Sequence, residues 1–371
     1  MKATVVERRA ELLRLYTGLG WKTALARVEA AEPGSVLIPE PDAGQLVLEA
    51  RVMAALAWRK ITTLHPWGIE YVDPRSDRLL IRFEPDVVGR RDAEATQALD
   101  LAQALLPRVD EYGQITGVPG ARAHVEHGNV LLRLLGTTAS VVLLGLDPEE
   151  WRRAAETQDQ EMSTWGMTPC HQGRPDSLHP AERPYRRPGR RGAAASDWLT
   201  SGLLRRAGLV RSLGVPLAVT GWLNFRAREG GERWIIDPTF AEGHGPAGHR
   251  QLAALLSAPG WGLPVTVVDE DCNCHLPPGY TDQCTTTVSS LRPEWPGTLE
   301  VRTIHRRGDR LRRIQQDQTA LYAAQKELTH SVPASVDRWL ASVGSPTADE
   351  SAERRRQGSA VRRGGRQDWS G

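Results

Sequence analysis

Sixteen residues, "DEDCNCHLPPGYTDQC" from Asp269 to Cys284, hold three of the chain's four cysteines and one of its ten histidines. Zinc takes four nitrogen or sulfur ligands in a tetrahedron, commonly from two close pairs. Cys272 and Cys274 make one close pair, His275 adds an imidazole, and Cys284 returns after a Pro-Pro-Gly turn. Cys170 or His171 could fold over as the fourth ligand in place of His275. Asp269, Glu270 and Asp271 repel thiolates unless a cation is present. The plainer reading of the same residues is a loop with partly buried thiols.

A second constellation is "IIDPTFAEGHGPAGH". Asp237 closes an apolar strand pattern, and Glu242, His244 and His249 follow on a glycine-rich loop. A carboxylate with two imidazoles can hold a catalytic metal and leave one position open for water, the arrangement of a metal-dependent hydrolase. Strand-ending Asp-Pro, turn-forming Gly-His-Gly and a helix start at Pro246 are the plainer explanation of those residues. In "HVEH", His124 and Glu126 share one strand face while Val125 and His127 take the other, so the two histidines diverge. No glycine-rich phosphate loop, dinucleotide fingerprint or nucleophile elbow is found.

Cationic side chains carry the remaining signal. Of 47 only Lys2, Lys22, Lys60 and Lys326 are lysines; the rest are arginines. Arg186, Arg187, Arg190 and Arg191 lie in a Pro/Gly-rich stretch opposed only by Asp176 and Glu182. Arg306, Arg307, Arg310, Arg312 and Arg313 crowd "HRRGDRLRR", and six more follow between Arg354 and Arg366. Clusters of this type bind phosphate backbones by releasing counterions. A solvated arginine-rich surface is the competing account.

These residues need elements to position them. Two helical patterns around Leu12–Leu19 and "WKTALARVEAA" flank a glycine turn, and a third covers Leu46 to Trp58. "GIEYVDPRSDRLLIRFEP" alternates like a β-hairpin. A helix from about Asp92 to Leu106 precedes "ARAHVEHGNVLLRLLGTTASVVLLGL", which reads as antiparallel strands broken at Gly128 and Gly136. Asp147 followed by Pro148 starts another helix. Beyond Ser196 come a capped helix, a hairpin, a short helix, a buried strand "LPVTVVD" and a further strand "GTLEVRTIHRR". A helix is expected from Asp309 to about Thr329, and a short one carrying Val336, Trp339, Leu340 and Val343 on one face.

Hairpins without strand-helix-strand alternation predict an α+β fold in two mixed domains joined by an Arg/Pro/Gly-rich linker. The expected units are 1–165, a basic linker at 166–195, 196–332, and a short helix with a disordered basic tail at 333–371. Both halves share a hairpin-then-helix order too generic to be called duplication, and no repeat of solenoid period is found. Charged residues at 25%, apolar residues at 40% and a net charge of +2 are those of a soluble globular chain. With no signal-peptide pattern and too few cysteines for a disulfide framework, a cytoplasmic location is expected.

The residues therefore point to a nucleic-acid-associated accessory protein that contacts DNA or RNA phosphates, with zinc on the cysteine cluster as a second reading beside partly buried free thiols. The alternatives are the metal-dependent hydrolase and a scaffold that binds a protein partner through the Trp339 helix.

Overall fold

Thr4 starts the first helix with a reciprocal cap. Its hydroxyl accepts from the Glu7 N–H at 3.1 Å, and the Glu7 carboxylate accepts from the Thr4 N–H at 2.7 Å. A computed structural model describes residues 4–57, 65–84, 96–172, 176–186, 196–213, 216–224, 233–240, 249–272 and 283–305. Helix α1 (Val5–Thr17) ends at Gly18 in the left-handed region, and α2 (Trp21–Glu29) packs against it. Helix α3 (Ala43–Ala57) is the third expected helix.

Strands β1 (Ile69–Pro74) and β2 (Arg78–Phe83) form the expected hairpin, and α4 (Gln97–Leu105) follows. Then come β3 (Arg108–Val109) and β4 (Ile115–Thr116). The three expected antiparallel strands are β5 (Ala121–Glu126), β6 (Asn129–Leu134) and β7 (Ser140–Leu144). Helix α5 (Pro148–Thr164) starts where Asp147 accepts from the N–H groups of Glu149 and Glu150. Strand β8 (Thr168–Pro169) pairs with β3, giving a small sheet ordered β4-β3-β8.

The second half opens with α6 (Asp197–Leu204) and a 3-10 turn at Ala207–Leu213. Ser196 does not cap α6 with its side chain; its hydroxyl accepts instead from the Trp234 indole at 3.1 Å. Strands β9 (Pro216–Asn224) and β10 (Arg233–Phe240) form the second hairpin, followed by α7 (His249–Leu256). Strands β11 (Val265–Asp271), β12 (Gln283–Ser290) and β13 (Thr298–His305) complete it. Two expectations change here. "LPVTVVD" is an edge strand whose acidic end is exposed, and the threonine-rich β12, not anticipated, is the inner strand that covers it. The architecture is α+β, with helices packed on two mixed five-stranded sheets.

The two sheets repeat one topology. The first runs β1-β2-β7-β6-β5 and the second β9-β10-β13-β12-β11. In each, a hairpin precedes a helix and a three-stranded meander, and the last meander strand returns parallel to the second hairpin strand. Registers agree residue by residue. Arg78-Leu79-Leu80-Ile81 on β2 corresponds to Arg233-Trp234-Ile235-Ile236 on β10, and the two arginines face Ser140 and Thr298. The shared hairpin-then-helix order of the sequence is thus a repeated fold unit. The unit is far longer than a solenoid repeat, which hides it from a search at solenoid periods.

Corresponding elements of the two units meet. Helix α3 packs on α6, β1 touches the 3-10 turn before β9, and β9 touches the 3-10 turn at Pro66–Gly68 before β1. Such reciprocal contacts are those of an approximate two-fold. Each unit thereby covers the outer edge of its neighbour's hairpin, which would otherwise present unpaired backbone groups. The buried side chains form one continuous cluster, from Leu48, Ile81 and Val141 in the first unit to Trp234, Leu255 and Val301 in the second.

Within 166–195, the described residues are docked. A 3-10 turn at Pro180–Arg186 is held by Glu182, whose carboxylate is buried against β5. It accepts from Arg122 at 2.7 and 3.0 Å, from the Gly120 N–H at 2.7 Å and from the His179 N–H at 2.8 Å. Among the described residues, no helix is long and apolar enough to cross a membrane.

Candidate binding groove

The hairpin turn between β1 and β2, Arg75 to Asp77, projects beside α2 and the loop at 36–39. Its backbone is pinned at both ends. The Arg75 N–H donates to the Arg78 carbonyl at 2.9 Å, and the Asp42 N–H donates to the Ser76 carbonyl at 3.1 Å. Between turn, helix and loop lies an open groove of about 910 Å³, with Ala30, Val36 and Leu80 among its apolar lining. Three arginines, Arg27, Arg75 and Arg78, line it against two aspartates, Asp73 and Asp77.

The arginines differ in how tightly they are held. Arg27 is mostly buried, ion-paired with Asp73, and donates to the carbonyls of Leu37 and Pro74 at 2.7 Å each. Burial holds its pKa below the ordinary arginine value, with Asp73 opposing the shift and Arg75 and Arg205 adding to it. The Arg75 side chain is 53% exposed and donates to Asp73 at 2.9 Å; Arg78 is 55% exposed and donates to Asp77 at 3.2 Å. The bond from Arg78 holds the Asp77 carboxyl below the usual range. A guanidinium has five N–H donors, so Arg75 and Arg78 each keep capacity for an anion.

Behind the turn, Arg205 reaches from α6 and donates to the Arg75 carbonyl at 2.8 Å. It also donates to the carbonyl of Pro39, on the groove wall. One buried side chain of the second unit therefore fixes two walls of a groove built by the first. Chemically the groove suits an anion with an apolar neighbour, because the two outer guanidiniums share a site with Leu80 and Val36.

Those residues nominated from the sequence that are described do not line this groove. Asp237 lies half-buried on β10 opposite Thr220, in the register position flanked on β13 by Arg302. His249 is the first residue of α7, while Glu242 and His244 lie outside the described residues. Cys272 follows the end of β11 and is half-buried, and Cys284 is buried on β12. Cys284 is the second residue of that strand. Cys274 and His275 lie outside the described residues. Among the described residues, no group of three or more His, Cys, Asp or Glu side chains could hold a metal ion.

Arg186 closes the Pro180–Arg186 turn by its backbone. Arg187, Arg190, Arg191, Arg306, Arg307, Arg310, Arg312, Arg313 and Trp339 lie outside the described residues. Glu126 pairs with Arg133 at 2.7 Å, and His127 turns away with φ 49, so "HVEH" is a strand end leading into a tight turn. The groove was not read from the sequence, because "DPRSDR" served there only as hairpin punctuation. Its available signal is charge density. Asp73, Arg75, Asp77 and Arg78 crowd one turn, where charged side chains are ordinarily just solvated, yet Asp73 is nearly buried beneath Arg27.

No protein-family model, no curated protein and no solved structure matches this chain.

Proposed function

We propose that the protein is a nucleic-acid-associated accessory protein that binds the phosphates of DNA or RNA. The observation that carries this reading is the groove in which Arg75 and Arg78 are half-exposed above the buried Arg27. Phosphate contacts of this kind fix a nucleic acid in place without reading its sequence. The arginine stretches at 186–191 and 306–313 would extend the same electrostatic contact along the polymer.

Binding of short single-stranded and duplex oligonucleotides, followed by fluorescence anisotropy across a salt series, tests the reading. The affinity is expected to fall steeply with salt. The Arg75→Ser/Arg78→Ser variant is expected to lower the salt slope by about one for each phosphate it no longer neutralises. Replacing Arg306, Arg307, Arg310, Arg312 and Arg313 by Ser should weaken binding across all sequences alike. Salt-independent binding, or unchanged affinity in both variants, rules the proposal out.

A further inference from the structure

Two cysteines flank the connection between β11 and β12, Cys272 just past the end of β11 and Cys284 on β12. Strands β11 and β12 pair antiparallel with Asp269 opposite Thr287, Glu270 opposite Thr286 and Asp271 opposite Thr285. Extended by one position past its last paired rung, that register would set Cys272 opposite Cys284. Directly opposed residues of an antiparallel pair have Cα atoms about 4.5 to 5.5 Å apart, depending on the rung. That separation falls inside the range of about 4.4 to 6.8 Å spanned by disulfides. Side chains on one rung also point to the same face of the sheet. Both residues carry thiols; Cys284 is 1% exposed and Cys272 is half-buried, so the pair has one accessible member and one sheltered member.

We propose that Cys272 and Cys284 form a reversible cross-strand disulfide, a modification site independent of the phosphate-binding reading. The accessible Cys272 loses its proton and attacks a low-molecular-weight disulfide such as oxidised glutathione. One sulfur–sulfur bond breaks, a mixed disulfide forms on Cys272, and one glutathione thiolate leaves and takes up a proton. Cys284 then loses its proton and attacks the Cys272 sulfur, expelling the second glutathione thiol. The two cysteines are oxidised by two electrons, and the glutathione disulfide is reduced to two thiols.

The bond would tie the edge strand β11 to β12 beyond their last backbone pair. An edge strand has a ladder on one side only, so a covalent tie there removes its freedom to peel away. Cys170 provides an internal control. It is buried in the other unit, and burial pushes its thiol up to about 12, with Glu182 adding to the rise, so it stays protonated and unreactive.

The test equilibrates the full-length protein in glutathione buffers of increasing oxidising ratio, quenches with acid, alkylates, and maps peptides by mass spectrometry. A linked peptide joining Cys272 to Cys284, lighter by about 2 Da than its two thiol halves, is expected, with Cys170 alkylated throughout. The Cys274→Ser variant should keep the link and Cys272→Ser should lose it. The oxidised wild-type protein should also melt at higher temperature than the reduced one, and Cys272→Ser should melt alike in both buffers. Alkylation of both cysteines at the most oxidising ratio overturns the proposal. So does a link from Cys274 to either of them, or a zinc-to-protein ratio near one with the thiols protected until chelator is added.

Discussion

Glu49 on α3 and Arg205 at the end of α6 form a two-point ion pair, 2.7 Å at each contact, where these helices of the two fold units pack together. Both side chains are fully buried. The carboxylate also accepts from Ser201 at 2.6 Å and from Gln45 at 2.8 Å, so its lone pairs are satisfied without water. A buried pair gains little over well-packed apolar side chains, but removing one partner strands the other charge.

Glu49→Ala or Arg205→Ala is therefore expected to lower unfolding free energy by about 3–5 kcal/mol in chemical denaturation. The double variant Glu49→Leu/Arg205→Met should recover part of the loss. Full recovery is not expected, because the carbonyls of Pro39 and Arg75 lose their donor as well. Equal losses in the single and double variants would show that the charge pairing is not what the junction depends on.

The Glu182 attachment should respond to acid. Burial pushes this carboxyl upward, but the bonds from Arg122 and from the Gly120 and His179 N–H groups outweigh it and hold it below the usual glutamate range. Its folded pKa is depressed, so its stabilisation is fully present above the unfolded value and is lost as pH falls through the folded one. Protease cleavage within 176–186 is expected to be slow at neutral pH and to speed up below the ordinary glutamate pKa of about 4.3. Glu182→Gln should be cut rapidly at neutral pH already. Cleavage that ignores both pH and the substitution would mean the turn is anchored by other groups.

Most of the fold was legible because its signals are local. Alternation at Leu79, Ile81 and Phe83, and the Asp147-Pro148 start of α5, each report one element through side chains a few residues apart. Strand β12 was not, since "QCTTTVSS" has no apolar alternation; it is a strand because β11 and β13 pair with it on both sides. The docking of 176–186 was missed for the same kind of reason. Composition showed Glu182 as one acid among arginines, while its role depends on Arg122, sixty residues earlier. The groove depends on Arg205 from the other unit, a pairing that no local pattern encodes.

Close approach at the junction gives a steric prediction. A Cβ on Gly208 would lie 2.6 Å from the Gly18 nitrogen and 2.8 Å from the Leu15 carbonyl oxygen, both backbone atoms of the α1 end. Gly208→Ala must push the 3-10 turn of the second unit off α1, at a cost of about 1–3 kcal/mol. A Cβ on Gly20 meets nothing within 4 Å, so Gly20→Ala should cost only about a few tenths of a kcal/mol as a weaker helix start. Urea midpoints of the two variants, compared at equal m-value, decide it. Similar small losses in both would show that the turn does not press on the end of α1.

Thr286 offers a change in the opposite direction. It lies on β12 in a row with Val301 on β13 and Ile236 on β10, the face of the sheet turned to the apolar cluster. Its side chain is 2% exposed, and its hydroxyl oxygen has no hydrogen-bond partner among the described residues. A buried hydroxyl without a partner has given up its bonds to water for nothing in return. Valine has the same shape, fills the same space with a methyl group, and favours a strand equally well. Thr286→Val is therefore expected to stabilise the protein by about 1 kcal/mol, whereas Thr286→Ser, which keeps the hydroxyl and deletes the methyl, should destabilise it by about as much. Denaturation curves of the three proteins order them Val, Thr, Ser from most to least stable. A valine variant less stable than the parent would mean that the hydroxyl has a bonded partner in the folded chain.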